Sequence, residues 1–521
     1  MKLARVEEMQ RLDEAAIRHG IPAQVLMENA GRGAAERILE RFPIRGGRPV
    51  AVVAGKGNNG GDGMVVARTL RQRGIAAEVW LLGTRHEVRG EAKINLDLLE
   101  GAQVAVHEVL GEGELGRMRE QLLQASLIVD AIFGTGLKQE VSGLYRQAIE
   151  AINAAGTAGR PVVALDLPSG LEGNRGRILG NAVRATLTVT FGLPKIGLVL
   201  DPGAACAGIL EVVDIGIPPA LVEEQGLKHA LLEPAALRAL IPARPPEAHK
   251  GDYGHLLVLA GSVGKTGAAA MAAQAALRVG SGLVTVGVPE SLNPILEVKL
   301  TEAMTEPLPE TDGQSLAVEA WNVAARLCAG KSALALGPGL GQHLETAAFV
   351  HRAIREAPVP LVVDADGVKA LARHLGVLKE ARVPVVLTPH PGEMGRLLGA
   401  RSEEIQADRV RVAREFAVDQ QVYLVLKGAR TLVADPAGEV FVNPTGNPGM
   451  ASGGMGDVLT GMIGGFLAQG LLPLEAAKLG VYLHGWAADR VAARRGMAGL
   501  LATDVIDELP AALRDLGAGE R

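Results

Sequence analysis

Two successive series of short apolar runs, each run closing on glycines and small polar residues, constrain this chain more than any other feature. The first series reads PVAVVAG (49–55), AAEVWLLG (76–83), SLIVDAIFG (126–134), PVVALDL (161–167), TLTVTFG (186–192) and ILEVVDIG (209–216). The second reads GHLLVLAG (254–261), GLVTVGVP (282–289), SALALGP (332–338), PLVVDAD (360–366), PVVLTP (384–389) and VYLVLKG (422–428). Stretches of helical period separate the runs. Apolar runs this short are strands buried on both faces, and their alternation with helices builds a parallel sheet covered on each side. The expected fold class is therefore α/β in both halves.

The segment from 217 to about 250, with IPPALVEEQG and IPARPPEAHKGDYG, interrupts the series without a long strand. One domain is expected over 1–217 and a second over 225–521, each large enough to fold alone. Ligands of open parallel sheets bind beyond the carboxyl ends of the strands, where this chain keeps its polar residues, so each half should carry one site.

Composition narrows the classes. With 48% hydrophobic and 21% charged residues the chain reads as globular, and a net charge of -5 argues against a nucleic-acid partner. Cys206 and Cys328 stand far apart without metal-ligand spacing, which excludes a disulfide framework and points to the cytoplasm. The charged start MKLARVEEMQRLDEAA lacks the apolar core of a signal peptide. No apolar run reaches the roughly 18 residues of a membrane span, so no membrane partner is expected.

In the first half, VVAGKGNNGGDGMVVARTLRQRG follows a strand and opens a helix. Gly55, Gly57 and Gly60 satisfy G-x-G-x-x-G, and Glu78 stands near the distance of the fingerprint's acid, as in a dehydrogenase. Yet Glu78 lies at the start of its strand rather than its end. Asn58, Asn59 and Asp62 also exceed what a phosphate turn needs. A tight structural turn is the remaining alternative.

GKGNNGGDG, LMENAG (26–31), VDAIFGTGL (129–137) and ALDLPSGLEGN (164–174) together resemble the NAD(P)H-hydrate epimerase family, in the expected order across residues 5–215. The resemblance implies a Rossmann-like domain in which Asn58, Asn59, Gly60, Gly61, Asp62, Gly134, Thr135 and Gly136 hold the substrate's phosphates and ribose. Asn59, Asp130 and Ser169 match the family's potassium ligands, although turn and helix capping also explain Asp130 and Ser169. Asp166, at the end of PVVALD, is expected as acid/base with Lys138 as its partner. Lys195, in FGLPKIGL, is another candidate, against the alternative of a surface lysine.

In the second half, GSVGKTG (261–267) suggests a P-loop, but the glycine required five residues before Gly264 is Leu259. NPTGNPGMASGGMGDVLTGMIGG (443–465) is more informative. Gly453, Gly454 and Gly456 bare the amides at a helix start, which suits a phosphoryl group, and Asp457 stands where a hydroxyl's proton could be taken. A plain helix cap is the alternative for Asp457.

This segment resembles the ribokinase-like superfamily. With HKGDYG (249–254), GSVGKTGA (261–268), ALGPGLG (335–341), VVDADG (362–367), LTPHPGEM (387–394), LKGART (426–431) and YLHGWAAD (482–489), it resembles the NAD(P)H-hydrate dehydratase family. The resemblance implies that Lys427, Gly428, Ala429, Arg430, Thr431 and Gly456 contact ADP, or ATP in some relatives. Ala268, Gly339, His390 and Asp457 would contact the hydrated cofactor. Met455 stands where relatives carry Thr or Ser. Glu393 is expected to act through water on Mg2+; Asp364 and Asp366 either do likewise or bond the loop amides that follow.

The expectation is thus a bifunctional enzyme acting on hydrated NADH and NADPH. An epimerase (an isomerase) is followed by an ADP-dependent dehydratase (a lyase) with Asp457 as base, and relatives of this kind suggest a homo-oligomer. A ribokinase-type small-molecule kinase and a non-catalytic ligand-binding scaffold are the rival classes.

Overall fold

The computed structural model describes residues 1–44 and 47–518, and the chain divides into two compact units, Lys2–His229 and Ala230 onward. Every strand expected from an apolar run is present.

The first unit holds seven parallel strands: β1 Val50–Ala54, β2 Ala77–Leu82, β3 Ala105–Val109, β4 Leu127–Ala131, β5 Val162–Leu165, β6 Leu187–Phe191 and β7 Ile209–Val213. Their order is β3-β2-β1-β4-β5-β6-β7. The central strands are buried at every position, because hydrophobic clusters cover both faces of the sheet. Strand order reverses between β1 and β4, which pair directly from Val50↔Leu127 to Ala54↔Ala131. The connections leaving their carboxyl ends therefore run to opposite sides, which opens a crevice there. Helices α1 (Val6–Arg18), α2 (Ala23–Arg41) and α3 (Asn58–Gln72) accompany this sheet.

The second unit's sheet contains β8 His255–Leu259, β9 Leu283–Pro289, β10 Met304–Leu308, β11 Ala333–Leu336, β12 Leu361–Val363, β13 Val385–Leu387, β14 Tyr423–Leu426, β15 Leu432–Ala434 and β16 Val440–Val442. These run in the order β16-β15-β14-β13-β12-β11-β8-β9-β10, with β15 and β16 antiparallel to their neighbours. The reversal lies between β8 and β11, which pair in parallel.

Against this sheet pack α4 (Thr266–Arg278), rich in alanine, and α5 (Met455–Ala468), rich in glycine. A Cβ at Gly461 would lie 2.0 Å from the carbonyl oxygen of Ala272. Glycine costs a helix about 0.5–1 kcal/mol relative to alanine. Here that loss is outweighed by the close approach of two backbones.

Among the described residues no helix is long and apolar enough to cross a membrane. Cys206 and Cys328 are buried and free.

Candidate functional sites

Beyond the carboxyl ends of β1, β4 and β5 opens a cleft of about 840 Å³. Asn58, Asn59 and Asp62 from the start of α3 line it, with the turn Gly134, Thr135, Gly136 and with Lys138, Asp166 and Lys195. Gly60 and Gly61 are not among its walls. A Cβ on Gly60 would meet the Gly55 carbonyl oxygen at 2.0 Å, and one on Gly61 the Met27 sulfur at 2.8 Å. Gly60 lets the start of α3 fold back on the loop after β1 and Gly61 lets it pack against neighbouring helices, while Asn58, Asn59 and Asp62 line the cleft. Glu78 accepts a hydrogen bond from the Trp80 indole at 3.1 Å, well before the end of β2, so the dehydrogenase's ribose acid has no counterpart there.

Asp166 follows β5 in the left-handed backbone region, at φ 62°. Its Oδ1 lies 2.5 Å from the ammonium of Lys195 and accepts the Thr190 hydroxyl at 3.2 Å. Lys195 also donates to the Phe191 carbonyl at 3.0 Å and is 1% exposed. The surface-lysine reading of Lys195 is therefore corrected. Lys138 is exposed at the cleft wall, and the cation that meets Asp166 is Lys195 instead. Local sequence carried little of this, since the contact spans 29 residues and depends on β6 returning beside β5.

A second polar cluster lies beside the cleft. Asp130, wholly buried at the end of β4, accepts from the Ser169 hydroxyl at 2.6 Å and the Ser169 amide at 2.8 Å. Burial pushes its pKa up to about 6 despite these bonds. Ser169 in turn accepts the Phe133 amide at 2.9 Å. Both amide atoms of Asn59 are shielded from solvent and lack a hydrogen-bond partner. An orphaned carboxamide oxygen and a buried carboxylate fit a hard monovalent cation with oxygen ligands. Among the described residues, no three His, Cys, Asp or Glu side chains assemble as a metal site.

In the second unit the expected residues again gather beyond the strand ends. Ala268 and Gly339 adjoin, because a Cβ on Gly339 would lie 3.1 Å from that of Ala268. Lys265 does not behave as a P-loop lysine; its ammonium lies 2.9 Å from Asp366. Asp366 also takes Lys369 at 2.9 Å and the Gly341 amide at 2.9 Å. Burial works to raise its pKa, yet these donors outweigh it and hold the carboxyl below its usual value. Its oxygens are thereby occupied.

Asp364, at the end of β12, holds Lys427 at 2.6 Å and accepts the Thr460 hydroxyl at 2.8 Å. Lys427 also stands 4.0 Å from Glu393, which is 4% exposed. Burial opposes the Lys427 ammonium, but the two carboxylates prevail and raise its pKa. His390 caps the helix Pro391–Leu398, its Nδ1 accepting the Gly392 amide at 3.0 Å. That bond makes His390 a structural cap whose outer edge remains exposed.

Gly456 adjoins this group: a Cβ there would lie 3.2 Å from the Lys427 ammonium and 3.4 Å from Asp364. Gly454, at φ 91°, is the turn that starts α5. Met455 points into the hydrophobic core, so its side chain does not line the amide cradle. Gly428 and Ala429 are exposed, Thr431 bonds the Gly428 carbonyl at 2.9 Å, and Arg430 donates to the Pro444 carbonyl at 2.8 Å. Asp457 is half-buried among Asp364, Glu393 and Lys427. Burial first, and then the like charge of Asp364, push its pKa up to about 7.

Residues 23–197 match the family model described as YjeF-related protein N-terminus, and residues 256–511 match that of NAD(P)H-hydrate dehydratase. The bifunctional NAD(P)H-hydrate repair enzyme Nnr of Moorella thermoacetica is 48% identical, over 99% of this chain and 97% of the relative. This chain belongs to the bifunctional NAD(P)H-hydrate repair enzymes. The member from Thermofilum pendens is 42% identical, again over 99% of this chain and 97% of its own. Among solved structures, the ADP/ATP-dependent NAD(P)H-hydrate dehydratase of Bacillus subtilis, co-crystallised with ATP/Mg2+, is 37% identical with a TM-score of 0.49. It covers 55% of this chain and 98% of its own. Membership sets aside the dehydrogenase, P-loop and scaffold readings, and it gives the repair family's two functions one unit each.

Proposed function

We propose that the first unit interconverts the R and S hydrates of NADH and NADPH, and that the second dehydrates the S form at the expense of ADP. The observation that carries this reading is a carboxylate with a matched cation in each crevice: Asp166 on Lys195, and Asp457 beside Lys427.

In the hydrate, the C6 hydroxyl and the ring nitrogen share one carbon. Epimerisation needs the hydroxyl to give up a proton while the nitrogen gains one. The C6–N1 bond then opens to an aldehyde and re-forms from the other face. Asp166, held by Lys195, is placed to take the hydroxyl proton. Asn58, Asp62 and the Gly134–Gly136 turn bind the phosphates and ribose. Asn59, Asp130 and Ser169 would hold potassium, which supplies positive charge next to the bound substrate.

In the second unit, the amides of Gly454 and Gly456 and the nearby Lys427 receive the phosphate of the nucleotide. Gly428 to Thr431 lie along the same edge as nucleotide contacts, and Ala268, Gly339 and the outer edge of His390 face the hydrate. Asp457 takes the C6 hydroxyl proton as its oxygen attacks phosphorus and AMP departs. The C6–O bond then breaks with its electrons on phosphate, the nitrogen lone pair assists, and loss of a C5 proton restores the ring. Asp364 and Glu393 would hold Mg2+, which binds through one or two carboxylates plus phosphate oxygens and neutralises the transferring group. Asp364 is oriented by Lys427 and Thr460, and Asp366 is paired with Lys265 and Lys369.

The test uses the purified full chain with mixed R and S hydrates and ADP, ATP or neither, followed at the absorbance of reduced nicotinamide. Complete conversion of both epimers with ADP, orthophosphate as co-product and no conversion without nucleotide are expected. A stable phosphorylated product would replace the reading with a small-molecule kinase.

A further inference from the structure

The epimerase chemistry needs two proton positions, one at the C6 hydroxyl and one at the ring nitrogen, and the Asp166–Lys195 pair supplies the first. We infer that Asp13, on α1, is the second acid/base of this cleft: it gives a proton to the ring nitrogen as the C6–N1 bond opens and recovers it on closure. The assignment rests on the epimerase reading above and deepens it. Asp13 lies ahead of the segment that matches the family model of the first unit.

Three observations carry it. Asp13 lines the cleft together with Asp62, Asp166 and Lys195, reaching it from α1 while Asp62 comes from α3 and the other two come after sheet strands. Its Oδ1 is closed off from solvent and has no hydrogen-bond partner, although a buried oxygen left unsatisfied costs about 1–3 kcal/mol. A helix that needed only packing at this position would carry an apolar residue. Finally, three carboxyl groups surround one ammonium. Burial, with Asp166 and Glu14 adding to it, pushes the pKa of Asp13 up to about 6 against the pull of Lys195. Burial also raises Asp62. The cluster thus takes up a proton closer to neutral pH than free carboxyls do, within the same cleft as the occupied Asp166.

The proton count closes. Asp166 accepts the hydroxyl proton while Asp13 donates to nitrogen, which takes the electrons of the C6–N1 bond. Closure on the opposite face reverses both transfers, and the enzyme ends in its starting state.

The test follows R-to-S conversion by chromatography with the full chain and no nucleotide, so that dehydration is silent. Asp13→Asn and Asp13→Ala should each lower kcat about a hundredfold, in the range of general acid–base catalysis, with KM near the native value. Thermal unfolding reports separately whether each variant folds, and Asp13→Glu, which keeps the carboxyl, should retain measurable turnover. Added formate should restore part of the Asp13→Ala rate, since a small acid can occupy the space vacated. Asn variants within about threefold of native, or an Ala variant that formate leaves inactive, would overturn the assignment while native epimerisation stands. Failure of the native chain to equilibrate the epimers would instead remove the epimerase reading, and this assignment with it.

Discussion

Asp166 and Lys195 form an ion pair whose side chains are 13% and 2% exposed. Breaking one partner of such a pair leaves an uncompensated charge in a poorly hydrated place. Lys195→Met should therefore destabilise the protein by about 3–5 kcal/mol in urea unfolding and abolish epimerisation. The double variant with Asp166→Asn should recover part of the stability but none of the activity. Asp457 makes a different claim on its surroundings. As a base it must be ionised, and its pKa near 7 means that dehydratase kcat/KM should rise with pH through about 7 and level off above. Asp457→Asn should keep nucleotide binding in calorimetry and lose turnover; a profile flat across this range would argue for another base. Asp166 and the Asn-Gly loop were legible in the sequence because each follows an apolar run beside glycines, and Asp457 because it opens a helix after a glycine cluster. Asp13 was not, and Lys195 stood only as a secondary candidate, since their contacts arise when β6 and α1 return to the same cleft.

Helix α5 divides its glycines between two duties. Gly461 is a packing position, where a Cβ would lie 2.0 Å from the Ala272 carbonyl oxygen, and backbone cannot move aside cheaply. Gly456 is a site position, where a Cβ would press on the flexible end of Lys427 at 3.2 Å. Gly461→Ala should lower the midpoint of thermal unfolding, with a cost of about 1–3 kcal/mol or more from overpacking. Gly456→Ala should fold near normally yet lose dehydration through a displaced Lys427. If both variants behave alike in melting, the division is wrong. The apolar runs announced the central strands because burial on both faces leaves no other pattern. They did not announce β3, β10 or the antiparallel pair β15 and β16. β3 reads AVHEV with alternating exposure at the sheet edge, and β15 and β16 have only three residues each. Edge and hairpin strands lack the continuous apolar signal, so the outer sheet was hidden while the crevices were visible.

At the scale of the whole chain, the two constellations divide the labour by stereochemistry. A dehydratase site shaped for one configuration at C6 leaves the other epimer untouched, whereas a proton-transfer site that opens the ring treats both alike. Asp166→Asn therefore gives a specific time course with mixed hydrates and ADP. Absorbance should rise at the native rate until the S epimer is exhausted, then slow to the rate of uncatalysed epimerisation. Adding Asp457→Asn protein, which keeps the first unit intact, should restart the rise although it makes no NADH of its own. Complementation of this kind requires the intermediate to pass through solution. If the mixed variants stay biphasic, the S hydrate is handed on within one molecule, and the fusion of the two units is what makes repair fast.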